Sequence, residues 1–140
     1  MVFVESAGIS DVGKKRKGNE DSLYLDDERG LYVVADGMGG HNAGEVASEL
    51  VVETIREYMS RQGKDDRAGT VKDLDESLSP EANQLLASIR LANRGVFEVA
   101  QSNEAYRGMG STVSAAYFTP NHTSNEGSYQ KKCPQGALVQ

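Results

Sequence analysis

The spacing of apolar positions changes along the chain, and each change marks an element. Residues 2–9 mix apolar and small side chains as a strand does, and residues 22–25 form a second short apolar stretch. Leu31-Tyr32-Val33-Val34-Ala35 is continuously apolar, which predicts a strand covered on both faces. Between these last two, Asp26-Asp27-Glu28-Arg29-Gly30 carries the polar and glycine residues of a hairpin turn. From residue 44 to residue 59 the period lengthens. Val46/Ala47, Leu50/Val51, Ile55 and Tyr58/Met59 recur at three- and four-residue spacing, one apolar stripe on a helix.

Gln62-Gly63 is the expected stop of that helix, and the polar stretch 64–77 reads as a surface loop. A second helix starts at Ser79-Pro80-Glu81, which offers a hydroxyl cap, a proline in the first turn and an early acid. Leu85, Ile89, Ala92, Val96 and Val99 carry its stripe to Ser102. After Gly108-Met109-Gly110, residues 112–118 alternate Val113, Ala115 and Tyr117 against smaller partners, as a strand does. The order β-β-β-α-α-β predicts an α+β layer and not a doubly wound parallel sheet. Residues 120–140 hold no period and carry Gly127, Pro134 and Gly136, so an irregular tail is expected there.

Composition narrows the class. With 140 residues the chain is long enough for one cored domain, and its 38% hydrophobic and 26% charged residues are ordinary for a globular protein. A net charge of −6 argues against a nucleic-acid partner. No apolar run approaches the roughly 18 residues of a membrane span, and the N-terminus lacks the pattern of a signal peptide. The lone Cys133 has no internal disulfide partner, which points to a reducing cytoplasm and leaves the sequon Asn121-His122-Thr123 a chance match.

The glycines of Asp36-Gly37-Met38-Gly39-Gly40-His41 lie between a strand and a helix, the place of a nucleotide cradle. The dinucleotide fingerprint needs glycines at offsets 0, 2 and 5, and from Gly37 the third position is Asn42. Gly8 and Gly13-Lys14-Lys15 approach a phosphate-binding loop, yet Lys15 stands where a hydroxyl must ligate magnesium. Asp36 is the more telling residue. At the end of a buried strand its carboxylate needs a partner or a cation, and the Gly37 carbonyl is a second oxygen ligand beside it. Asp-Gly is also a common turn pair, and taken alone that plainer reading wins.

The acids Asn19-Glu20-Asp21 gain meaning from topology. A hairpin across residues 26–30 brings Asp21 close to Asp36, and two carboxylates about 4 Å apart repel by roughly 1 kcal/mol in water. A divalent cation turns that repulsion into a binding site. Lys14-Lys15-Arg16-Lys17 leads into the same loop, either as a solvated basic patch or with one arginine gripping two phosphate oxygens.

Together, Arg16-Lys17-Gly18-Asn19-Glu20-Asp21 and Val33-Val34-Ala35-Asp36-Gly37-Met38-Gly39-Gly40-His41 resemble the metal-dependent protein serine/threonine phosphatases (PPM, type 2C), bacterial branch. Gly44-Glu45-Val46-Ala47-Ser48 and Gly108-Met109-Gly110-Ser111-Thr112 fit the same family, over residues 8–118. The resemblance implies an αββα sandwich that hydrolyses phosphoserine and phosphothreonine, with phosphorylated proteins, including those of a serine/threonine kinase, as partners. It implies Mn2+ or Mg2+ bridged by Asp36 with the Gly37 carbonyl on one ion, and Glu20 and Asp21 acting through water or at a further ion. Arg16 would hold the substrate phosphate, and His41 would donate a proton to the leaving oxygen or hydrogen-bond within the turn. His122 receives no role.

Residues 1–119 are accordingly expected to be the N-terminal part of a phosphatase domain, an incomplete sandwich. The family continues with a Gly-Asp-Ser-Arg strand and two further metal-binding aspartates, and residues 120–140 contain no aspartate. The expectation is therefore a truncated product, a fragment or a shifted frame near Phe118, with weak metal binding and little activity. A non-catalytic phosphatase-like binding module is the alternative. Substrate and oligomeric state are not legible.

Overall fold

A computed structural model describes residues 3–61, 75–119 and 136–139. Strands β1 (Asp21–Asp26) and β2 (Leu31–Met38) form the expected hairpin. Helices α1 (Ala43–Arg61) and α2 (Pro80–Ser102) follow, then a 3-10 turn at Glu104–Tyr106 and strands β3 (Gly110–Ser111), β4 (Val113–Tyr117) and β5 (Gly136–Val139). All pairings are antiparallel, in the order β1-β2-β4-β5, with β3 on the far end of β2. Both helices lie on one face of this sheet, an α+β layer.

Alternation along β2 decides which face is which. Leu31, Val33 and Ala35 are buried, whereas Val34, Asp36 and Met38 between them are exposed. The buried set meets Ala47, Val51 and Ile55 of α1, Leu85, Ile89 and Ala92 of α2, and Val113 and Ala115 of β4 in one core. Ser22 of β1 also faces the helices, its Oγ 2.9 Å from that of the fully buried Ser48. The second helix begins as its sequence requires: Ser79 Oγ accepts the Ala82 N–H at 3.2 Å. Buried Asn83 then ties the preceding loop down, accepting the Asp75 N–H and donating to the Asp75 carbonyl, both at 2.9 Å.

The structure corrects several expectations. Only one face of β2 is covered, and Val34 is 51% exposed. An unbroken apolar run does not distinguish a strand buried on both faces from one whose outer face stays open. Residues 3–12 form no strand. That segment crosses the open face of β1, where a side chain on Gly8 would meet Leu25 Cδ1 at 3.0 Å, and Ser6 binds the Asp27 carboxylate. Its apolar residues Phe3 and Ile9 are left exposed. Strand β5 is the opposite error: residues 136–139 pair with β4 although no period announces them. A strand edge of unpaired N–H and C=O groups accepts a short extended segment without needing a sequence pattern. The expected helix stop at Gln62-Gly63, the sequon, His122 and Cys133 lie outside the described residues.

At the hairpin turn, Asp26 accepts the Arg29 N–H at 2.9 Å and the Tyr24 hydroxyl at 2.7 Å, and these bonds hold its carboxyl below the usual carboxylate range. Since Ile55 is fully buried between the helix pair and the sheet, Ile55→Ala should cost about 2–5 kcal/mol in urea unfolding, and a loss under about 1 kcal/mol would contradict this packing.

Candidate functional site

Pairing in the β1–β2 hairpin sets Asp21 directly opposite Asp36. Residues opposite one another project to the same face, so both carboxylates stand on the open side of the sheet, and both residues are exposed. The burial argument for a cation at Asp36 therefore fails, because its strand has no cover on that side. What remains is the proximity of two acids. Asp36 accepts no hydrogen bond or ion pair on its carboxylate among the described residues. Asp21 is held by a small ring: its N–H donates to Asn19 Oδ1 at 3.1 Å, Asn19 Nδ2 donates to Ser10 Oγ at 2.6 Å, and Ser10 Oγ reaches Asp21 Oδ2 at 3.5 Å.

Glu20 parts company with this pair. Its carboxylate lies against Gly44 in the first turn of α1, where a Cβ on Gly44 would come within 2.6 Å of the Glu20 carboxyl carbon. Negative charge is favoured at a helix N-terminus. The Glu20 carbonyl accepts the Gly37 N–H at 2.9 Å, and a Cβ on Gly37 would overlap the Gly44 carbonyl. Gly37 is thus not the sharp turn that its sequence context suggests. It remains inside β2, which runs on to Met38 because β3 pairs with Gly37 and Met38, and its missing side chain lets α1 approach.

The turn itself comes later. His41 and Asn42 adopt φ of 51° and 66°, and the Ala43 N–H closes on the Gly40 carbonyl at 3.0 Å. Asparagine and histidine are among the side chains that enter this left-handed region most readily. The His41 imidazole is exposed and makes no hydrogen bond within the turn among the described residues. Arg16 is likewise exposed, on the loop before Asn19, with no hydrogen-bond or ion-pair partner among the described residues. Nothing ties it to Asp36.

On the other edge of β2, Val34 faces Ser114 and Gly37 faces Ser111, one continuous register that sets Thr112 opposite Asp36. The Thr112 N–H donates to the Asp36 carbonyl at 2.8 Å, and the Asp36 N–H donates to Thr112 Oγ1 at 3.3 Å. Ser111 Oγ lies 3.2 Å from the Asp36 carbonyl and 2.8 Å from the Thr112 carbonyl, and its one proton goes to the nearer oxygen. Sequence reasoning assigned these hydroxyls no role; two adjacent hydroxyl residues just ahead of a strand were the available signal.

Hard divalent cations take oxygen ligands, and two opposed, exposed carboxylates followed by a main-chain carbonyl fit one side of such a site. No group of three His, Cys, Asp or Glu side chains converges among the described residues. The donors present therefore match part of a metal centre.

The family model for protein phosphatase 2C matches residues 14–125. A protein phosphatase 2C-type protein of Streptococcus pyogenes is 36% identical over 110 residues, which cover 76% of this chain and 39% of that protein. The serine/threonine protein phosphatase PstP of Mycobacterium tuberculosis is 35% identical over 115 residues, covering 82% of this chain and 19% of PstP. Among solved structures, the catalytic domain of PstP in complex with two manganese ions superimposes with a TM-score of 0.60 at 32% identity, over 81% of this chain and 42% of that one. The chain thus spans less than half the length of these relatives. With its helix pair on an antiparallel sheet, its opposed acids and its glycine turn, the chain belongs to the protein phosphatase 2C family.

Proposed function

We propose that this chain forms one side of the active site of a phosphoserine/phosphothreonine protein phosphatase, acting on phosphoproteins in the cytoplasm. The observation that carries the reading is the opposition of Asp21 and Asp36, two exposed carboxylates on one face, in a chain of this family. Manganese in the PstP structure supports Mn2+ or Mg2+ as the cation. No helix among the described residues is long and apolar enough to cross a membrane.

Each residue has a part in that reading. Asp36 and Asp21, with the Gly37 carbonyl, would hold the cation, which when bound would supply Lewis acidity at the phosphoryl oxygens. Arg16, free of intramolecular partners among the described residues, grips two phosphate oxygens through its planar fork. His41, exposed on its left-handed turn, gives a proton to the leaving oxygen. Glu20 works from behind, supporting Gly37 through its carbonyl, with any contact to a cation made through water. The substrates are proteins phosphorylated by serine/threonine kinases.

A second reading has its own support. Because no third acid joins the pair among the described residues, the isolated chain binds Mn2+ weakly and acts as a phosphoprotein-binding module with little turnover. Titration of the chain with Mn2+ by calorimetry should show weak binding that Asp36→Asn reduces by about tenfold or more. Equal affinity in that variant would end the metal reading. Brisk hydrolysis of a phosphothreonine peptide with Mn2+, abolished by Asp36→Asn, would instead overturn the expectation of low activity. Arg16→Ala should weaken binding of the same peptide by about 10- to 100-fold, the range for a charged hydrogen bond, with Arg16→Lys in between. Unchanged peptide affinity in Arg16→Ala would remove Arg16 from the site.

A further inference from the structure

Facing residues in an antiparallel pair that exchange hydrogen bonds ordinarily do so twice, N–H to C=O in each direction. The pair Asp36 and Thr112 makes only one of these bonds with its backbone, the Thr112 N–H donating to the Asp36 carbonyl at 2.8 Å. The return donor, the Asp36 N–H, is taken by the Thr112 hydroxyl at 3.3 Å. The Thr112 carbonyl accepts instead from Ser111 Oγ at 2.8 Å, and that same hydroxyl reaches the Asp36 carbonyl at 3.2 Å. Two side-chain hydroxyls therefore replace regular ladder bonding where the strand carries Asp36, and the ladder is interrupted at Thr112 between β3 and β4.

We propose that Thr112 is a positioning residue for the cation site: its hydroxyl fixes the Asp36 peptide and so aims the Asp36 carboxylate. Three observations support this. Thr112 lies in register opposite Asp36, so its side chain stands on the same open face as the carboxylate. The carboxylate itself has no hydrogen bond to orient it among the described residues, which leaves its peptide as the handle. The opposite edge of β2 is already fixed, since Glu20 holds the next peptide through the Gly37 N–H at 2.9 Å. Thr112 supplies the matching constraint on the β4 side, and the methyl group plays no part in it.

The inference rests on Asp36 being a metal ligand, and the test separates the two ideas. Thr112→Val keeps shape and removes the hydroxyl; Thr112→Ser keeps the hydroxyl and removes the methyl. Amide hydrogen exchange by NMR, without metal, should show faster exchange at Asp36 in Thr112→Val, near-normal exchange in Thr112→Ser, and little change at Val33. Mn2+ affinity by calorimetry should fall about tenfold in Thr112→Val, the lower end for loss of a ligand's supporting partner, and be largely restored in Thr112→Ser. Should Thr112→Val fail to fold by circular dichroism, Thr112→Ala against Thr112→Ser makes the same comparison. Wild-type Mn2+ affinity in the hydroxyl-free variant, or equal losses in both variants, overturns the positioning role. Unaltered Mn2+ binding in Asp36→Asn, with faster Asp36 exchange in Thr112→Val, would leave the hydrogen bond in place and sink the metal reading alone.

Discussion

Strand β2 is paired on both edges, and its two-residue alternation divides the molecule. Leu31, Val33 and Ala35 point into the helices while Val34, Asp36 and Met38 point away. The same register places Asp21 opposite Asp36 on one side and Thr112 opposite it on the other. A slip of one residue would send Asp36 into the apolar core and bring Val33 to the surface. Burying Leu31, Val33 and Ala35 thus holds the two acids together on the open face. The same packing that stabilises the sheet positions its chemistry, and no separate interaction between the acids is needed.

Close backbone approach extends this constraint to the helix. Gly37 and Gly44 have no side chains where the end of β2 meets the start of α1, and a Cβ on either would strike the other segment or Glu20. Glu20 fills the space that remains, its carbonyl on the Gly37 N–H and its carboxylate against Gly44 at the helix N-terminus. Loop, strand and helix therefore interlock one residue away from Asp36. Acidic residues next to each other in sequence are divided by this arrangement: Asp21 goes to the open face and Glu20 to the helix side. In the sequence they look like one acidic site.

Period and punctuation made much of this readable. Both helices lie within a few residues of their expected bounds because each carries an apolar stripe, and α2 also carries a hydroxyl-proline start. The hairpin followed from a polar turn between two apolar runs, and the meeting of Asp21 with Asp36 followed from the hairpin. Sequence pattern failed where structure depends on a distant surface. Whether Val34 is covered depends on what packs against the sheet, and β5 depends on the free edge of β4. The Thr112 hydroxyl was invisible for a related reason: its partner lies 76 residues away, and only the register reveals it.

As a cation site, this arrangement would have modest intrinsic strength. Two carboxylates on an exposed sheet face repel only weakly through water's high dielectric, so they gain little from a cation compared with a pair in a low-dielectric pocket. Their value lies in geometry. One acid is braced by the Asn19–Ser10 ring; the other is braced by the N–H and hydroxyl of Thr112 and, one residue on, by the Gly37 N–H donating to the Glu20 carbonyl. Such bracing lowers the ordering cost of binding without adding a contact to the ligand. It is most useful where the direct donors are few, and the function proposed above gives this site only two carboxylates and a carbonyl. Removing a brace should therefore be felt in ligand affinity more than in fold stability, because the core on the other face of β2 does not depend on where Asp36 points.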